Sequence, residues 1–322
     1  MVQHHQFFRQ RFVGASDMRS APYFCAIVIP LIGENALTNC LDRLPLSALE
    51  CIVVLREAMG DKRDWQQRYP SVNFLDASYE PVPLRRQRGV AVAASDVVAF
   101  LEDTSWPDPD WCAAVRSTFA DLDTVAAGGA VRITATLPSR CQALGWSEYG
   151  AFSPHNLLPR VPGSNTDGPI ITSRVPGNNM AFRRTELIEA LRGEPNGLVE
   201  GSVCARMLKT GRRVVLQPRM LVTYSACNRR TAALGTRVHH GRIYAGMQFQ
   251  GQSQLSRFLH VVKAVLLPIV LSARTMLEMV DSGRLKARLP VLFWVMLMQS
   301  AWAIGETIGA LAGPGKSLNE WR

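Results

Sequence analysis

The sequence predicts an α/β fold with a mostly parallel, Rossmann-like sheet, followed by apolar helices towards the C-terminus. Three observations support this fold class. Short apolar runs alternate with helix-like segments over most of the chain, an acidic pair directly follows one of these runs, and two longer apolar segments come late in the chain. Alternating strands and helices are typical of a parallel sheet whose faces are covered by helices.

The opening segments are typical of a βαβ unit. Residues 24–30 (FCAIVIP) and 51–55 (CIVVL) are short apolar runs of the kind found in buried parallel strands. Between them, residues 35–44 space their apolar side chains at helical intervals. Further strands are predicted at 72–75, 96–101, 125–133 and 213–224, and further helices at 85–94, 108–121, 184–192 and 200–210.

The predicted strand at 96–101 is followed directly by Glu102 and Asp103. Ligands of open parallel sheets bind beyond the carboxyl ends of the strands, so this acidic pair lies where chemistry is expected. Farther along, residues 153–177 form a segment rich in Pro, Gly, Asn and Ser. It is too long for a simple connection, and we expect it to cover a substrate.

Composition limits the size of the core and the class of partner. With 322 residues, of which 47% are hydrophobic and 19% charged, the chain can form a full α/β core plus an appendage. Its formal net charge of +10 favours an anionic partner such as a nucleotide diphosphate or an anionic membrane surface. Nucleic acid is not expected, because the sequence has no zinc-finger spacing, no RNA-binding signature and no basic run with interleaved aromatics.

The cysteines and the N-terminus favour a cytoplasmic domain. The seven cysteines are scattered and form no Cys-x-x-Cys pair, so we expect them to be reduced residues of the core. Residues 1–21 contain three arginines but lack the apolar core of a signal peptide, and they predict a flexible basic arm.

Four segments resemble, in the same order, the family-2 glycosyltransferases with the GT-A fold. They are IVIPLIGENALTNCLDRL (27–44), RRQRGVAVAASDVVAFLEDTSWPDPDW (85–111), VPGNNMAFRRTEL (175–187) and GLVEGSVCARMLKTGRRVVLQP (197–218). The resemblance runs from about Phe24 to Tyr224. It implies a GT-A nucleotide-sugar domain at residues 22–230 and an inverting glycosyltransferase.

The first two segments are similar to the donor side of the family's site. Pro30 and Glu34 match the family's opening strand and turn. Arg85, Arg86 and Arg88 could each contact phosphates, and Arg88 is favoured because it precedes a glycine as in the family's Arg-rich helix. The resemblance therefore implies that Pro30, Glu34 and Arg88 contact the nucleotide sugar.

The family's acidic DxD motif reads Glu102, Asp103 and Thr104 in this chain, so its last aspartate is missing. The resemblance implies that Asp103, with Glu102 second, binds the donor and a divalent ion. Hard oxygen ligands suit Mg²⁺ or Mn²⁺, and such an ion neutralises the leaving diphosphate.

The last two segments are similar to the acceptor side. Gly177 permits close backbone approach, and Asn178 and Asn179 are expected to form hydrogen bonds with sugar hydroxyls. Glu200 matches the family's general base and is the only acid in its part of the motif. We expect Glu200 to accept the acceptor's proton while Asp103 serves the leaving diphosphate.

Two departures from the family limit what the resemblance implies. Leu55 and Arg56 occupy the place where the family often has an aspartate for the nucleotide base, and the Gln-x-x-Arg-Trp motif of processive synthases is absent. Transfer of a single sugar is therefore favoured over polymerisation.

The end of the chain predicts association with a membrane. Residues 231–257 are predicted to be an amphipathic linker, 258–313 membrane-associated helices and 314–322 a tail. In the linker, Arg237, His239, His240 and Arg242 are expected on a solvated helix, and contact with a diphosphate or a lipid headgroup is the alternative. The apolar segments at 261–273 and 289–304 are near or below the length that crosses a bilayer, about 18 to 20 residues. We expect the first to lie at the interface and the second to insert more deeply, with a hairpin of two spans as the alternative.

These observations predict a glycosyltransferase that moves a sugar from a nucleoside diphosphate donor to a lipid-linked or envelope polysaccharide acceptor. The catalytic domain is expected at the cytoplasmic face of the inner membrane. The alternative is a catalytically weakened GT-A domain that acts as a binding or scaffold subunit of an envelope polysaccharide assembly complex. The missing aspartate of the acidic motif motivates this alternative.

Overall fold

The computed structural model describes residues 24–157, 168–225, 230–280 and 289–321. The arm predicted at residues 1–21 therefore lies outside the described residues. A mixed sheet of nine strands runs through the first part of the chain. Its strands are β1 (Phe24–Ile29), β2 (Glu50–Leu55), β3 (Asn73–Asp76), β4 (Val97–Glu102), β5 (Ser105–Pro107), β6 (Thr124–Ile133), β7 (Ile170–Ile171), β8 (Asn179–Arg183) and β9 (Arg213–Tyr224).

Helices connect these strands and continue beyond them. Among the described residues they are α1 (Glu34–Leu41), α2 (Lys62–Arg68), α3 (Val82–Val92), α4 (Trp111–Thr118), α5 (Ser139–Tyr149), α6 (Pro154–Leu157), α7 (Arg184–Leu191), α8 (Glu200–Lys209), α9 (Arg230–Gln248), α10 (Gln254–Ala264), α11 (Leu267–Val280) and α12 (Leu289–Ala312). Short 3₁₀ turns occur at Glu57–Met59, Gly150–Phe152 and Ser317–Glu320.

The first half of the sheet is parallel. β3, β2, β1 and β4 lie side by side in this order and run in the same direction. Alternate residues of β1 belong to two different buried clusters, so both faces of this strand are covered. The register pairs Ile29 with Glu102, so β1 and β4 end at the same edge of the sheet.

The second half of the sheet is mixed. β8 runs antiparallel to both β4 and β6, and β9 pairs in parallel with β6 and antiparallel with β5 and β7. Because β8 is antiparallel to β4, its first residue, Asn179, lies beside Leu101 near the end of β4. The turn that precedes β8 thus reaches the edge where β1 and β4 end.

The predicted α/β class is confirmed. Each of the six strands predicted from apolar runs begins and ends within one residue of the expected bounds. β8 was not predicted, because its NMAFR sequence lies inside the segment expected to line the acceptor side. The 153–177 segment, expected to be a loop, contains α6 and β7 among its described residues.

Helices α5, α9 and α12 pack against one another. α12 buries Val291 and Val295 with Trp146 of α5, and Met298 with Leu144 of α5. The crossing of α9 and α12 is close because of its glycines. A Cβ atom on Gly241, Gly305 or Gly309 would collide with a backbone carbonyl oxygen of the opposite helix. We refer to α9, α10, α11 and α12 as the helix layer.

One of the described helices is by itself long and apolar enough to cross a membrane, and it is α12, with 24 residues. α10 and α11 would form a second span only if they acted together, and they are bent by 58° relative to each other. Length and composition alone are weak evidence for crossing, since the buried core helix of a soluble protein has the same properties.

The cysteines correct one expectation. Cys25, Cys40, Cys51, Cys112 and Cys204 are free, as expected, but Cys141 at the start of α5 is disulfide-bonded. The seven cysteines are therefore not all reduced.

Candidate active site

The loop after β1 is held by the carboxylate of Asp103. Asp103 Oδ1 accepts the backbone N–H of Leu31 (2.7 Å), and Oδ2 accepts those of Ile32 (2.9 Å) and Gly33 (3.3 Å). This arrangement follows from the register, because the residue after β4 lies directly beside the loop after β1. Burial raises the pKa of Asp103 above its usual value, while the three N–H groups act in the opposite direction.

Arg86 of α3 connects two acids from distant parts of the chain. Its Nη2 lies 3.0 Å from Glu102 Oε1, and its Nη1 lies 3.0 Å from Glu200 Oε2 at the start of α8. Nη2 also donates to the carbonyl oxygen of Gly177 (2.9 Å). The guanidinium of Arg86 is buried. Arg86, Glu102 and Glu200 thus form a compact ion cluster at the edge where β1 and β4 end.

The two carboxylates of the ion cluster differ in burial. Glu102 is buried, and this burial raises its pKa to about 7, although the guanidinium of Arg86 acts in the opposite direction. The side chain of Glu200 is 26% exposed and borders the cavity described below. Glu200 is therefore the carboxylate of the cluster that a ligand reaches most easily.

Two further arginines hold the loop after β1 from the other side. Arg85 Nη1 donates to the carbonyl oxygen of Pro30 (2.8 Å), and Arg56 Nη1 donates to that of Leu31 (2.7 Å). Nε and Nη2 of Arg85 have no hydrogen-bond partner among the described residues. Burial lowers the pKa of Arg85 to about 10, and the nearby Arg56 adds to this effect. Arg85 still carries its charge at neutral pH and compensates the negative charge of Asp103.

A cavity of about 990 Å³ extends from the ion cluster to the helix layer. Arg86, Glu102 and Glu200 line one end. Residues of α5, α9, α11 and α12 line the other end, and both polar and apolar side chains take part.

A network of charged and polar side chains lies in the cavity wall. Glu148 of α5 is 3.4 Å from both Arg237 and His240 of α9, and the Arg237 guanidinium lies 4.4 Å from the ring centre of Trp302. Burial acts to raise the pKa of Glu148, but His240 and Arg237 together keep it below its usual value. This network joins α5 to α9 of the helix layer through paired charges.

Comparisons with known proteins support the architecture. No protein-family model and no curated protein matches the chain. Among solved structures, it is similar to the mannosyltransferase PcManGT from Pyrobaculum calidifontis in complex with GDP-Man and Mn²⁺. The TM-score is 0.56 at 16% identity, over 91% of this chain and 88% of that chain. The chain has the GT-A fold.

A second solved structure with this similarity is GalNAc-T7 with UDP, GalNAc and Mn²⁺. There the TM-score is 0.49 at 15% identity, over 64% of this chain and 44% of that chain. At 16% identity, the similarity to the mannosyltransferase establishes the fold of this chain alone, and its chemistry depends on its own residues.

The residues predicted for the donor side of the GT-A domain lie in different surroundings. Pro30 contacts the site through its carbonyl oxygen, and Glu34 is exposed in the first turn of α1. Arg88 lies outside the ion cluster, because its side chain is paired with Glu80 and also donates to the carbonyl oxygen of Asp76 (3.1 Å).

Arg86, and not the favoured Arg88, is the arginine of this helix that lies in the ion cluster. The buried residues of α3 include Val82, Arg86 and Val90, which recur at intervals of four. This spacing could have identified Arg86 as an inward-facing arginine, whereas Arg88 is on the exposed face of the same helix.

Of the residues predicted for the acceptor side, Gly177 lies at the ion cluster, whereas Asn178 and Asn179 do not face the cavity. The backbone of Gly177 contacts the ion cluster, and a Cβ atom there would lie 3.0 Å from both Arg86 Nη2 and Glu200 Oε1. The side chains of Asn178 and Asn179 are buried in the protein. Asn178 donates to Ser105 Oγ (2.7 Å), and Asn179 bonds to Trp111 and to the carbonyl oxygens of Ala130 and Met220.

The acidic motif offers limited ligands for a metal ion. No group of three or more His, Cys, Asp or Glu side chains in the described ranges is arranged to hold one. Both oxygens of Asp103 already accept backbone N–H groups, whereas Glu102 borders the cavity with one oxygen paired to Arg86. Mg²⁺ is often held by one carboxylate together with substrate phosphates, and Glu102 fits this kind of site.

Proposed function

We propose that the protein is an inverting, family-2 type glycosyltransferase. It moves a sugar from a nucleoside diphosphate donor to a lipid-linked or envelope polysaccharide acceptor at the cytoplasmic face of a membrane. The observation that carries the proposal is the cluster of Arg86, Glu102 and Glu200, which lies beyond the carboxyl ends of the parallel strands of a GT-A domain and opens into a large cavity.

Glu200 is the proposed general base. As the acceptor hydroxyl oxygen bonds to the anomeric carbon, Glu200 accepts the hydroxyl proton, and the bond from that carbon to the diphosphate oxygen breaks. Attack from the side opposite the leaving diphosphate inverts the anomeric centre. Arg86 keeps Glu200 in place through their 3.0 Å ion pair, so this base is fixed relative to the donor side.

The donor diphosphate is proposed to lie next to Arg86 and the loop after β1. The guanidinium of Arg86 faces the charge that develops as the diphosphate leaves. A divalent ion, Mg²⁺ or Mn²⁺, would add neutralisation of that charge when bound, with Glu102 as its carboxylate ligand. Support comes from the similar mannosyltransferase, which was solved with GDP-Man and Mn²⁺.

An acceptor borne by the membrane is supported by the surface of the helix layer. Sixteen of the exposed large hydrophobic residues lie in or between α10, α11 and α12, which form the far side of the cavity. Exposed apolar surface of this extent is typical of a membrane-binding face. An acceptor could thus reach Glu200 from the bilayer.

The cytoplasmic placement has support from the five free cysteines. The disulfide at Cys141 is the observation against it, because disulfides are rare in reducing compartments. Labelling of an introduced surface cysteine, such as Arg192→Cys, by an impermeant thiol reagent tests the placement. Modification only after cells are opened supports the cytoplasmic face, and modification of intact cells contradicts it.

A scaffold subunit without transfer activity is the second candidate. It is favoured by the acidic motif itself, in which Asp103 is fully occupied by backbone N–H groups and Thr104 replaces an acid. Such a subunit would use the GT-A domain to bind a partner of an envelope polysaccharide assembly complex.

A donor screen separates the two candidates. Purified protein is tested by thermal shift and donor hydrolysis with GDP-mannose, UDP-glucose and UDP-N-acetylglucosamine, each with Mn²⁺ or with EDTA. We expect stabilisation and slow hydrolysis with one donor, stronger with Mn²⁺, and loss of the Mn²⁺ effect in Glu102→Gln. Absence of binding and hydrolysis across a complete donor panel would exclude the enzyme and leave the scaffold.

A further inference from the structure

The segment after α12 returns to the ion cluster. The backbone N–H of Val82, the first residue of α3, donates to the carbonyl oxygen of Trp321 (2.7 Å). Ser317 Oγ lies 3.1 Å from Nδ1 of His239 in α9. Trp321 is therefore fixed both to the helix that contains Arg86 and to the helix layer.

The ring of Trp321 lies between the ion cluster and the helix layer. The Arg86 guanidinium is 5.4 Å from its ring centre, and the ring of His240 is 5.0 Å away at an angle of 60°. The residue is only half-buried and borders the cavity. A flat aromatic surface is thus held open to the cavity close to the proposed base, Glu200.

The charges of the cavity wall favour a neutral ligand. The glutamates that border it are Glu102, Glu148, Glu200, Glu278, Glu306 and Glu320, and the arginines are Arg86, Arg174, Arg237 and Arg274. Three of these arginines are already paired with carboxylates of the wall. Outside the ion cluster, where the donor diphosphate is proposed to lie, a phosphate group of the acceptor would meet an excess of negative charge, whereas hydroxyl groups can donate hydrogen bonds to the carboxylates.

Aromatic side chains complete a wall suited to sugar rings. Those that border the cavity are Trp146, Tyr149, Phe152, Tyr224, Tyr244, Trp302 and Trp321. Aromatic rings offer large, rigid apolar faces, and carboxylates nearby offer hydrogen-bond acceptors. A pyranose ring has an apolar C–H face and polar edges, and so matches both features.

We propose that Trp321 is the platform on which the terminal sugar ring of the acceptor packs. The acceptor would then present a neutral sugar to Glu200, not a lipid phosphate. The assignment of Trp321 to the acceptor and not to the donor rests on His240, which belongs to the helix layer and contacts the same ring. This inference depends on the proposed function, since it names the acceptor class for the same site.

The test compares two soluble acceptor probes on the full chain in lipid nanodiscs. The probes are octyl β-D-glucopyranoside and octyl phosphate, and binding is followed by saturation-transfer NMR in the presence of the nucleotide sugar that the donor screen selects. We expect transfer to the pyranose C–H protons of the glucoside. Trp321→Leu should weaken glucoside binding by about two- to tenfold, the size of one aromatic contact, while Trp321→Phe keeps most of it.

Two controls distinguish a binding role from a structural one. Leu318→Ala perturbs the same segment without touching the cavity wall, and should bind the glucoside like the wild type. Donor affinity should be unchanged in Trp321→Leu, while its melting temperature falls, because Trp321 also packs against a buried apolar cluster. The inference is wrong if octyl phosphate binds and the glucoside does not, if Trp321→Leu binds the glucoside normally, or if that variant loses donor affinity instead. Loss of donor binding in the wild type would refute the proposed function itself.

Discussion

Glu102 and Asp103 are neighbours in the sequence but have different surroundings. Glu102 faces the cavity and Arg86, while Asp103 lies under the loop after β1 and accepts three backbone N–H groups. The difference follows from the end of β4, where successive side chains point in opposite directions. Substitutions at the two positions should therefore have separable effects.

Asp103→Asn should lower stability. An asparagine has one acceptor oxygen, so at least one of the N–H groups of Leu31, Ile32 and Gly33 would lose its partner. We expect the free energy of unfolding in urea to fall by about 1.5 to 3 kcal/mol, the contribution of a hydrogen bond to a charged group. Asp64→Asn, at an exposed position of α2, is the control and should change stability by less than about 0.5 kcal/mol. Equal stability of the two variants would contradict the role of Asp103.

Glu102 should make stability depend on pH. Burial raises its pKa to about 7 in the folded protein, so between its ordinary value and about 7 the folded state binds more protons than the unfolded state. The free energy of unfolding should therefore fall as pH rises over this range, by up to about 3 kcal/mol. Urea unfolding of wild type and Glu102→Gln at pH 5 to 8 tests this. Parallel curves for the two proteins would show that Glu102 titrates normally.

Glu200→Gln should separate binding from transfer. The glutamine keeps the size of the side chain but cannot accept the acceptor's proton, so we expect transfer to fall by about 10² to 10⁴ while donor affinity is kept. Glu189→Gln, on the exposed surface of α7, provides the control and should transfer at the wild-type rate. If Glu200→Gln also retains the wild-type rate, another residue is the base.

The sequence predicted some residues of the candidate site but not their surroundings. Glu102, Asp103 and Glu200 are identifiable because a motif places acids after a strand and at a helix start. The choice between Arg86 and Arg88 depended on the phase of one helix relative to the sheet, which α3 fixes only by packing. Nor could the sequence show that the carboxylate of Asp103 is directed at backbone N–H groups.

The crossing of α9 and α12 depends on glycine. Gly305→Ala would place a Cβ atom against the carbonyl oxygen of Val238 and force the two helices apart. We expect a loss of stability of about 1 to 3 kcal/mol, as for other overpacked contacts. Gly235→Ala on α9 is the matched control, because nothing lies within 4 Å of its added Cβ atom. It should stabilise by about 0.5 to 1 kcal/mol. Thermal unfolding of both variants checks the expectation, and a stabilised Gly305→Ala would contradict it.

Elements were predictable where one pattern dominated. β1, β2 and β4 are buried on both faces and so appear as continuous apolar runs. β8 is equally buried but short, and its first residue, Asn179, is polar because it bonds across the core to Trp111. α9 was expected as a linker, since its Arg237 and His240 suggest solvent. In the structure both contact Glu148, whose side chain is only 15% exposed.

The protein should bind membranes through the exposed apolar residues of α10. Phe258 (61% exposed) and Val262 (54% exposed) are one turn apart on this helix. Changing both to glutamate should reduce binding to anionic lipid vesicles by at least about tenfold, because apolar burial is lost and charge is added. Leu122→Glu, at a position 75% exposed in the sheet domain, should bind normally in the same sedimentation assay. Equal loss in both variants would mean that apolar surface in general, and not α10, drives binding.

The sequence predicted the α/β class of the segment that forms the sheet. It did not predict how the helix layer packs against that segment. Apolar segments late in the sequence suggested membrane helices. The sequence did not show that α12 turns Gln299 and Glu306 inward, towards the cavity that Glu200 also borders. In the sequence, the two polar side chains only reduce the apolar character of a segment expected to insert into a membrane. Their inward direction depends on the packing of α12 against α5 and α9, which only the folded structure shows.

The packing of α12 also has a practical consequence for producing the protein. Shortening a membrane protein before its most apolar helix is a common route to a soluble sample. In this chain, ending before Leu289 would uncover Leu144, Trp146 and Ala233, which α12 covers, and would remove one wall of the cavity. A truncated sample would be prone to aggregation and would lack part of its ligand site. Activity measurements therefore need the complete helix layer, in lipid or in a detergent that is not itself a glycoside.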